Sequence, residues 1–527
     1  MGFVARHPSL SLALILFVLA VPAVVLRRRE QFVRRYVTGV FGLLCVLAVG
    51  RAIVYLVRLR PVVEGVDFFS LLCVARDRNH GATDLSPWRY AYFPGAQMFW
   101  RAALGLGGET LAGAQWMYAA LLFANAALLG ATVWRTVKSW LGAAIVAVGY
   151  VALVSRLEGG YGVAEPIAML PVAAAVLVWG GEPLQGRRGL VLAAVLGAGI
   201  GLGVYVKQQG AFQAAGWLAL PLGNFYERRH QWRAILLVPL VAIVVFFIGI
   251  LAEGKGLFPL RIGIETVMAY ATQSSFWANL TEIADQVKPL LFAFLLALPA
   301  TAILLVRDRS ARNQPWVSVA LFAFLIVAAS LYQFSKRAYH HYALLTAPWL
   351  LLCVVLSAVS VWRALPNHEA PAIRFAALLL AALAFVHTSD PASDAFFLWP
   401  PHRIEQPMLG HWRTHPLFSD DMQKLGQFIH RGEDVLVLPP RHNEIHFLFG
   451  TRSVSWEQGY TWGVGPAPAA KALSSPTLQA VILIAVRDPS DEWTWNWHKC
   501  DEAAKNLRQS GFRPVVQLKT MAVWRRH

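Results

Sequence analysis

The stretch VEGVDFFSLLCVARD, Val63 to Asp77, sets three carboxylates, Glu64, Asp67 and Asp77, among apolar neighbours. It follows the apolar run Tyr36 to Val57, which is long enough to cross a bilayer. A carboxylate at such a half-dry border is costly unless it meets a cation, a hydrogen-bond donor or a hydroxyl-bearing ligand. Glu64 and Asp67 stand one turn apart and share a helical face. Arg58, Arg60 and Arg76 are close in sequence. Ion pairing or simple solvation in a loop therefore competes with a role on a ligand.

The other chemistry-bearing residues also stand at the ends of apolar runs. Glu165 precedes Pro166, Lys207 lies in VKQQG, and Lys336, Arg337, His340 and His341 lie in KRAYHHY. Arg51 sits about two turns inside the Tyr36 to Val57 run. Each has a structural alternative. Lys207 and Arg51 can snorkel to headgroups, and Glu165 can simply open a helix before a proline. His340 and His341 are adjacent, so on a helix they point about 100° apart and one small site takes at most one of them. HNEIH, His442 to His446, is not the helical H-E-x-x-H zinc pattern and looks extended beside a strand; it reads as a surface pair, with no metal expected. The aromatic run WEQGYTW reads as packing in a small domain.

The elements that must position these residues follow from composition. The chain of 527 residues is 57% hydrophobic and only 15% charged, which excludes an ordinary soluble enzyme. The net charge of +17 is scattered in small clusters at the ends of apolar runs rather than gathered in a stripe, so it points to lipid headgroups and not to nucleic acid. Of the 4 cysteines, Cys45 and Cys353 lie inside spans, and unpaired thiols are expected.

The pattern predicts about twelve spans. They are Ser9 to Leu26, Tyr36 to Val57, Leu111 to Trp134, Trp140 to Val154, Ala164 to Trp179, Leu190 to Val206, Ala211 to Leu222, Ala234 to Ala252, Pro289 to Val306, Trp316 to Phe334, Tyr342 to Val361 and Ile373 to Val386. The seventh and twelfth are short. Alternate connections, including RRREQFVRR, LQGRR, ERRHQWR and RDRSAR, are short and basic, so they face the cytoplasm. An uncleaved first span is preferred to a signal peptide cut after VPA, because cleavage would leave the Arg27 to Arg35 cluster translocated. Every unusual residue named above then falls on the outer side. Tyr92 to Leu106 and Phe258 to Tyr270 are expected to lie in the outer interface. Residues 1–388, with an outer loop over 58–110, form the membrane domain, and 389–527 form an extracytoplasmic α/β domain. In the latter DVLVLPP and AVILIAV read as strands, DEAAKNLRQSGF as a helix ended by Gly511, and RPVVQL and MAVWRR as two final strands.

GVDFF at Gly65 to Phe69, RDRNHG, YAYFPG at Tyr90 to Gly95, AEPIAML, VKQQG and KRAYHHYALLTAPWL occur in an order that resembles the polytopic GT-C glycosyltransferases. In particular the chain is similar to those using polyprenyl-phosphate sugars, such as polyprenyl-phosphate-mannose-dependent mannosyltransferases and lipid A aminoarabinose transferase. The resemblance spans nearly the whole membrane region and implies a GT-C-like helical bundle at the bacterial-type inner membrane. It implies transfer, with inversion, of a hexosyl or pentosyl group from a polyprenyl-phosphate sugar to a lipid, glycan or protein acceptor. The lipid-linked sugar is then a co-substrate, and no cofactor is expected.

By the same resemblance Asp67 is the general base. Lys207, Arg337, His340, His341 and Arg51 are candidates for the donor phosphate, and Glu165, Glu64 and Tyr92 for the acceptor or sugar. A donor already carried across the membrane also explains why no nucleotide-binding motif is found. The rival reading is a transporter or flippase. Transporters place ionisable groups near the midplane and often show repeated halves, neither of which is seen here.

Overall fold

The structure, a computed structural model, describes residues 66–81, 94–157, 162–225, 230–254, 256–261, 264, 275–335, 340–364, 416–438, 443–453, 473–484 and 497–526. The chain divides into two compact units. The first contains the helices from Tyr118 to Ala364, and the second contains residues 60–91, 97–117 and the C-terminal region from His402. The loop over residues 60–91 thus shares its compact unit with the C-terminal sheet.

The described helices of the N-terminal region are α1 (Val66–Asn79), α2 (Pro94–Gly107), α3 (Leu111–Val137), α4 (Trp140–Arg156), α5 (Glu165–Trp179) and α6 (Gly186–Val206). They are followed by α7 (Ala219–Phe225), α8 (Trp232–Ala252), α9 (Phe276–Arg307), α10 (Pro315–Ser330) and α11 (Ala347–Ala364). Among the described residues, five helical segments, including α3, α6, α8 and α11, are long and apolar enough to cross a membrane; the fifth is Pro315–Gln333, α10 with the turn that follows it. The chain is a multi-pass membrane protein. The first, second and twelfth expected spans lie outside the described residues, as do most of Phe258 to Tyr270. The seventh is not a continuous α-helix: Gln208–Leu218 is a 3₁₀ helix and α7 follows it. α9 begins well before its expected start at Pro289 and is broken by the non-helical Val287. A proline has no N–H for the helical ladder, which accounts for a break near it.

Local chemistry sets the helix ends. Ser139 caps α4 by accepting the Gly142 N–H at 3.1 Å. α5 opens with an acid and a proline at its first positions and closes at Gly180, whose φ of 57° is left-handed. α6 packs between two helices through small residues. Gly197 and Gly201 lie against the backbone of Val238 and Ala242 in α8, while Gly199 and Gly203 lie against Pro171 and Ala168 in α5. Lipid offers no hydrophobic drive between helices, so such backbone approach supplies much of the attraction. We expect Gly201→Val to lower the melting temperature in detergent well beyond an exposed control such as Leu240→Val, because the Ala242 carbonyl cannot retreat. Further inside, the Phe322 ring of α10 sits 5.8 Å from Trp179 of α5 and 6.0 Å from Trp349 of α11.

In the second unit a five-stranded sheet has the order β2-β1-β3-β5-β4. Its strands are β1 (Asp434–Leu438), β2 (Arg452–Ser453), β3 (Ala480–Ile484), β4 (Phe512–Gln517) and β5 (Met521–Arg526). β1 is parallel to β2 and β3, with Val435 opposite Ala480; β5 is antiparallel to β3 and β4, with Ile482 opposite Val523. Alternation sorts the side chains. Val435, Val437, Ile482 and Val523 meet Leu425 and Ile429 on one face, and Leu436, Val481 and Trp524 meet Leu507 on the other. Leu425 belongs to α12 (Pro416–Leu425) and Leu507 to α14 (Trp497–Gln509). Gly511, at φ 82°, follows α14 as expected. HNEIH is not extended: Asn443–Phe449 is a helix, α13, and His446 is buried with its Nδ1 hydrogen-bonded to Thr451 Oγ1 at 2.9 Å. It is therefore not part of a surface pair.

Candidate functional site

In the first unit helical backbone gives way to tighter turns beside Glu165, the first residue of α5. α6 ends at Val206, Lys207 is extended at φ −152° and ψ 140°, and the 11-residue 3₁₀ helix follows. Two further 3₁₀ turns, Leu331–Ser335 and His340–Leu345, separate α10 from α11. Runs of 3₁₀ helix beyond 3–4 residues are uncommon and mark strain or function. Non-helical backbone at membrane depth is tolerated only where protein or a cavity covers it. Gly210 permits the fold-back, since its Cα lies against the backbone of Gly203 where a Cβ would collide.

Within this broken region Lys207 and Glu165 form an ion pair through Nζ and Oε1, bringing together residues 42 apart in sequence. Lys207 is 1% exposed and Glu165 0%, so water screens neither. The ammonium also lies 5.1 Å from the centre of the Tyr342 ring, a cation–π distance. Glu165 Oε2 has no hydrogen-bond partner among the described residues, and neither do the buried Oε1 atoms of Gln213 and Gln333. Supporting bonds fix the frame. Tyr118 donates to Val163 O at 3.2 Å, Asn125 to Pro166 O at 2.8 Å, and Gln333 to Tyr342 O and Thr346 Oγ1 at 3.1 Å each.

A buried pair of this kind recovers its desolvation cost only with good geometry and further hydrogen bonds. The orphaned acceptors around it are polar capacity that apolar packing alone would not retain. Tyr342, Gln213 and Gln333 were not singled out from sequence; the polar residues inside VKQQGAFQ and the tyrosine after the paired histidines were the available signal.

His340 and His341 open the 3₁₀ turn that contains Tyr342, so their backbone belongs to the same region. Arg337, Arg51, Glu64 and Tyr92 lie outside the described residues. Asp67 is the second residue of α1, in the second unit. A first-turn acid is favoured by the helix dipole.

At the other end of α1, Arg76 donates to Asp77 Oδ1 at 3.0 and 3.2 Å. Burial pushes the Asp77 carboxyl above the ordinary carboxylate range; the charge and hydrogen bonds of Arg76, then the charges of His80 and Arg452, pull against this without cancelling it. A carboxyl raised in the folded state binds more protons folded than unfolded across that window. Its contribution to stability is therefore largest below the ordinary value near ~3.9 and declines as pH rises through the raised one. We expect the melting temperature of the wild type minus that of Asp77→Asn to fall as pH rises above about 4. A difference independent of pH would contradict this.

No family model matches the chain, and no curated protein sequence does. Among solved structures it is similar to ArnT from Cupriavidus metallidurans in the apo state, with a TM-score of 0.57 and 12% identity over 93% of this chain and 98% of that one. The structure of the same ArnT bound to undecaprenyl phosphate gives 0.54 and 12%, over 90% of this chain and 97% of that one. At this identity the likeness is one of fold, and it runs nearly end to end in both proteins. The chain has an ArnT-like fold, a polytopic helical bundle with a small C-terminal α/β domain.

Proposed function

We propose that this protein is an inverting glycosyltransferase that moves a monosaccharide from a polyprenyl-phosphate donor to a hydroxyl of a lipid, glycan or protein acceptor at the outer face of the inner membrane. The observation that carries the reading is the buried Lys207–Glu165 pair, set among orphaned acceptors where the spans break, in a fold shared with a protein whose structure holds undecaprenyl phosphate. The ion pair with Glu165 orients the Lys207 ammonium, whose charge can stabilise a phosphate in a water-poor setting, where such an interaction is worth most.

In the reaction the acceptor oxygen attacks the anomeric carbon from the face opposite the phosphate. The bond from that carbon to the phosphate oxygen breaks, the phosphate leaves with the electron pair, and the acceptor proton passes to the Asp67 carboxylate. Lys207, with Arg337, His340, His341 and Arg51 as further donors, offsets the charge that develops on the leaving phosphate. Glu64 and Tyr92 are assigned to the acceptor or sugar.

The test is incubation of the purified, lipid-reconstituted protein with a panel of polyprenyl-phosphate hexoses and pentoses and a membrane extract of acceptors, followed by mass analysis. One donor should give an acceptor heavier by one sugar residue together with free polyprenyl phosphate. Failure with every donor, from protein that remains folded, would overturn the reading.

A further inference from the structure

The first and last turns of α1 carry different chemistry. Asp67 stands in the first, and Arg76, nine positions later and about 13 Å along the axis, stands in the last. The Arg76 guanidinium is buried and committed to backbone. It donates to His446 O at 2.8 Å, to Thr451 O at 2.9 Å and, more weakly, to Phe447 O at 3.5 Å. These are carbonyls of the end of α13 and the turn after it, where helical backbone leaves acceptors without intrahelical partners. Only arginine presents a rigid fork of donors able to bridge several such oxygens.

The same side of α1 is docked by packing. Residues 69–76 are all buried, and on the side that meets α13 the Phe69 ring lies 6.0 Å from that of Phe447. The receiving segment is itself braced. His446 bonds Thr451, both are buried, and the strand that begins at Arg452 pairs with β1 opposite Asp434. An uninterrupted mechanical path therefore runs from the sheet through Thr451 and Arg76 into the helix that opens with Asp67.

We infer that Arg76 is a positioning residue through which the C-terminal domain sets the placement of the Asp67 helix, making that domain part of the transfer machinery and not a separate binding module. The inference rests on the reading of Asp67 as the base. Arg76 itself takes no part in proton transfer, since its guanidinium is held by Asp77 and the three carbonyls. Its effect is geometric, and misplacement of a reacting group by about 1 Å can cost about 10²-fold in rate.

The experiment uses the full-length reconstituted protein with Arg76→Met, Arg76→Lys, Thr451→Val and Asp67→Asn in one transfer assay, alongside hydrogen exchange followed by mass spectrometry. Arg76→Met should lower kcat by about ten- to a hundredfold with KM for the lipid donor within about threefold. Arg76→Lys should recover part of the loss. Thr451→Val, which cuts only the brace, should lower kcat in the same sense by less, and should remain folded if Arg76→Met does not. Amide exchange should rise over 66–79 and 443–451 and stay unchanged over β1, β3, β4 and β5. Wild-type kcat and exchange in folded Arg76→Met or Thr451→Val would overturn the inference while an inactive Asp67→Asn left the base in place. Wild-type turnover in Asp67→Asn would instead remove the base, and this inference with it.

Discussion

Asp67→Asn is expected to slow sugar transfer by about 10²–10⁴-fold, the usual contribution of a positioned general base. The amide is nearly isosteric with the carboxylate but cannot take the acceptor's proton, so the attacking hydroxyl must lose it to water or not at all. The position lies in the first turn of α1, where asparagine is tolerated about as well as aspartate, so the helix should still form. Donor binding should be little changed, since the phosphate is assigned to other residues. The variant should therefore show a low kcat, a near-normal KM for the lipid donor and an unaltered melting curve. Normal turnover would remove Asp67 from the reaction.

The second large effect concerns the Lys207–Glu165 pair and separates folding from chemistry. Removing one partner of a buried ion pair leaves an uncompensated charge, at a cost of about 3–5 kcal/mol. Lys207→Met alone should accordingly lower the melting temperature sharply, with both groups of the pair at 1% exposure or less in the native protein. Replacing both, as Lys207→Met with Glu165→Gln, removes the charges together, and such double replacements are often neutral in stability. The double variant should fold like the wild type yet fail to transfer sugar, because the leaving phosphate has lost a donor. Restoration of both stability and transfer would make the pair purely structural. Thermal unfolding and turnover measured on the same preparations decide between these outcomes.

Much of the architecture is legible in the residues themselves. Apart from Ala211 to Leu222, the apolar runs from Leu111 to Val361 each contain a described α-helix because lipid demands continuous apolar segments with internally paired backbone, a requirement visible without coordinates. The strands DVLVL and AVILI are visible through unbroken β-branched and leucine runs, and the end of α14 through Gly511. What escaped depends on distant encounters. Glu165 and Lys207 carried separate roles on sequence grounds, one for acceptor and one for phosphate, and nothing local says that residues 42 apart meet.

The 3₁₀ run after Lys207 resembles a short span in sequence for a similar reason. AFQAAGWLALPL is apolar enough to cross, and its tighter winding comes from packing: at Gly210 against the Gly203 backbone and at Gly216 under the Phe322 ring. HNEIH looked extended because short segments are decided by their surroundings, here the burial of Ile445 and His446. The anchoring of α1 by Arg76 was likewise hidden. Sequence offered that arginine as a partner for a nearby acid, which it is for Asp77, but not as the fork that grips carbonyls 370 to 375 residues away.

The most direct test follows the label. A polyprenyl-phosphate sugar carrying isotope in the sugar alone is reconstituted with the protein in vesicles, with acceptor supplied, and label and lipid are tracked together. The account predicts that label leaves the lipid for the acceptor with inverted anomeric configuration, one free polyprenyl phosphate appearing for each sugar moved. Label that stays on its lipid while that lipid changes leaflet would contradict it.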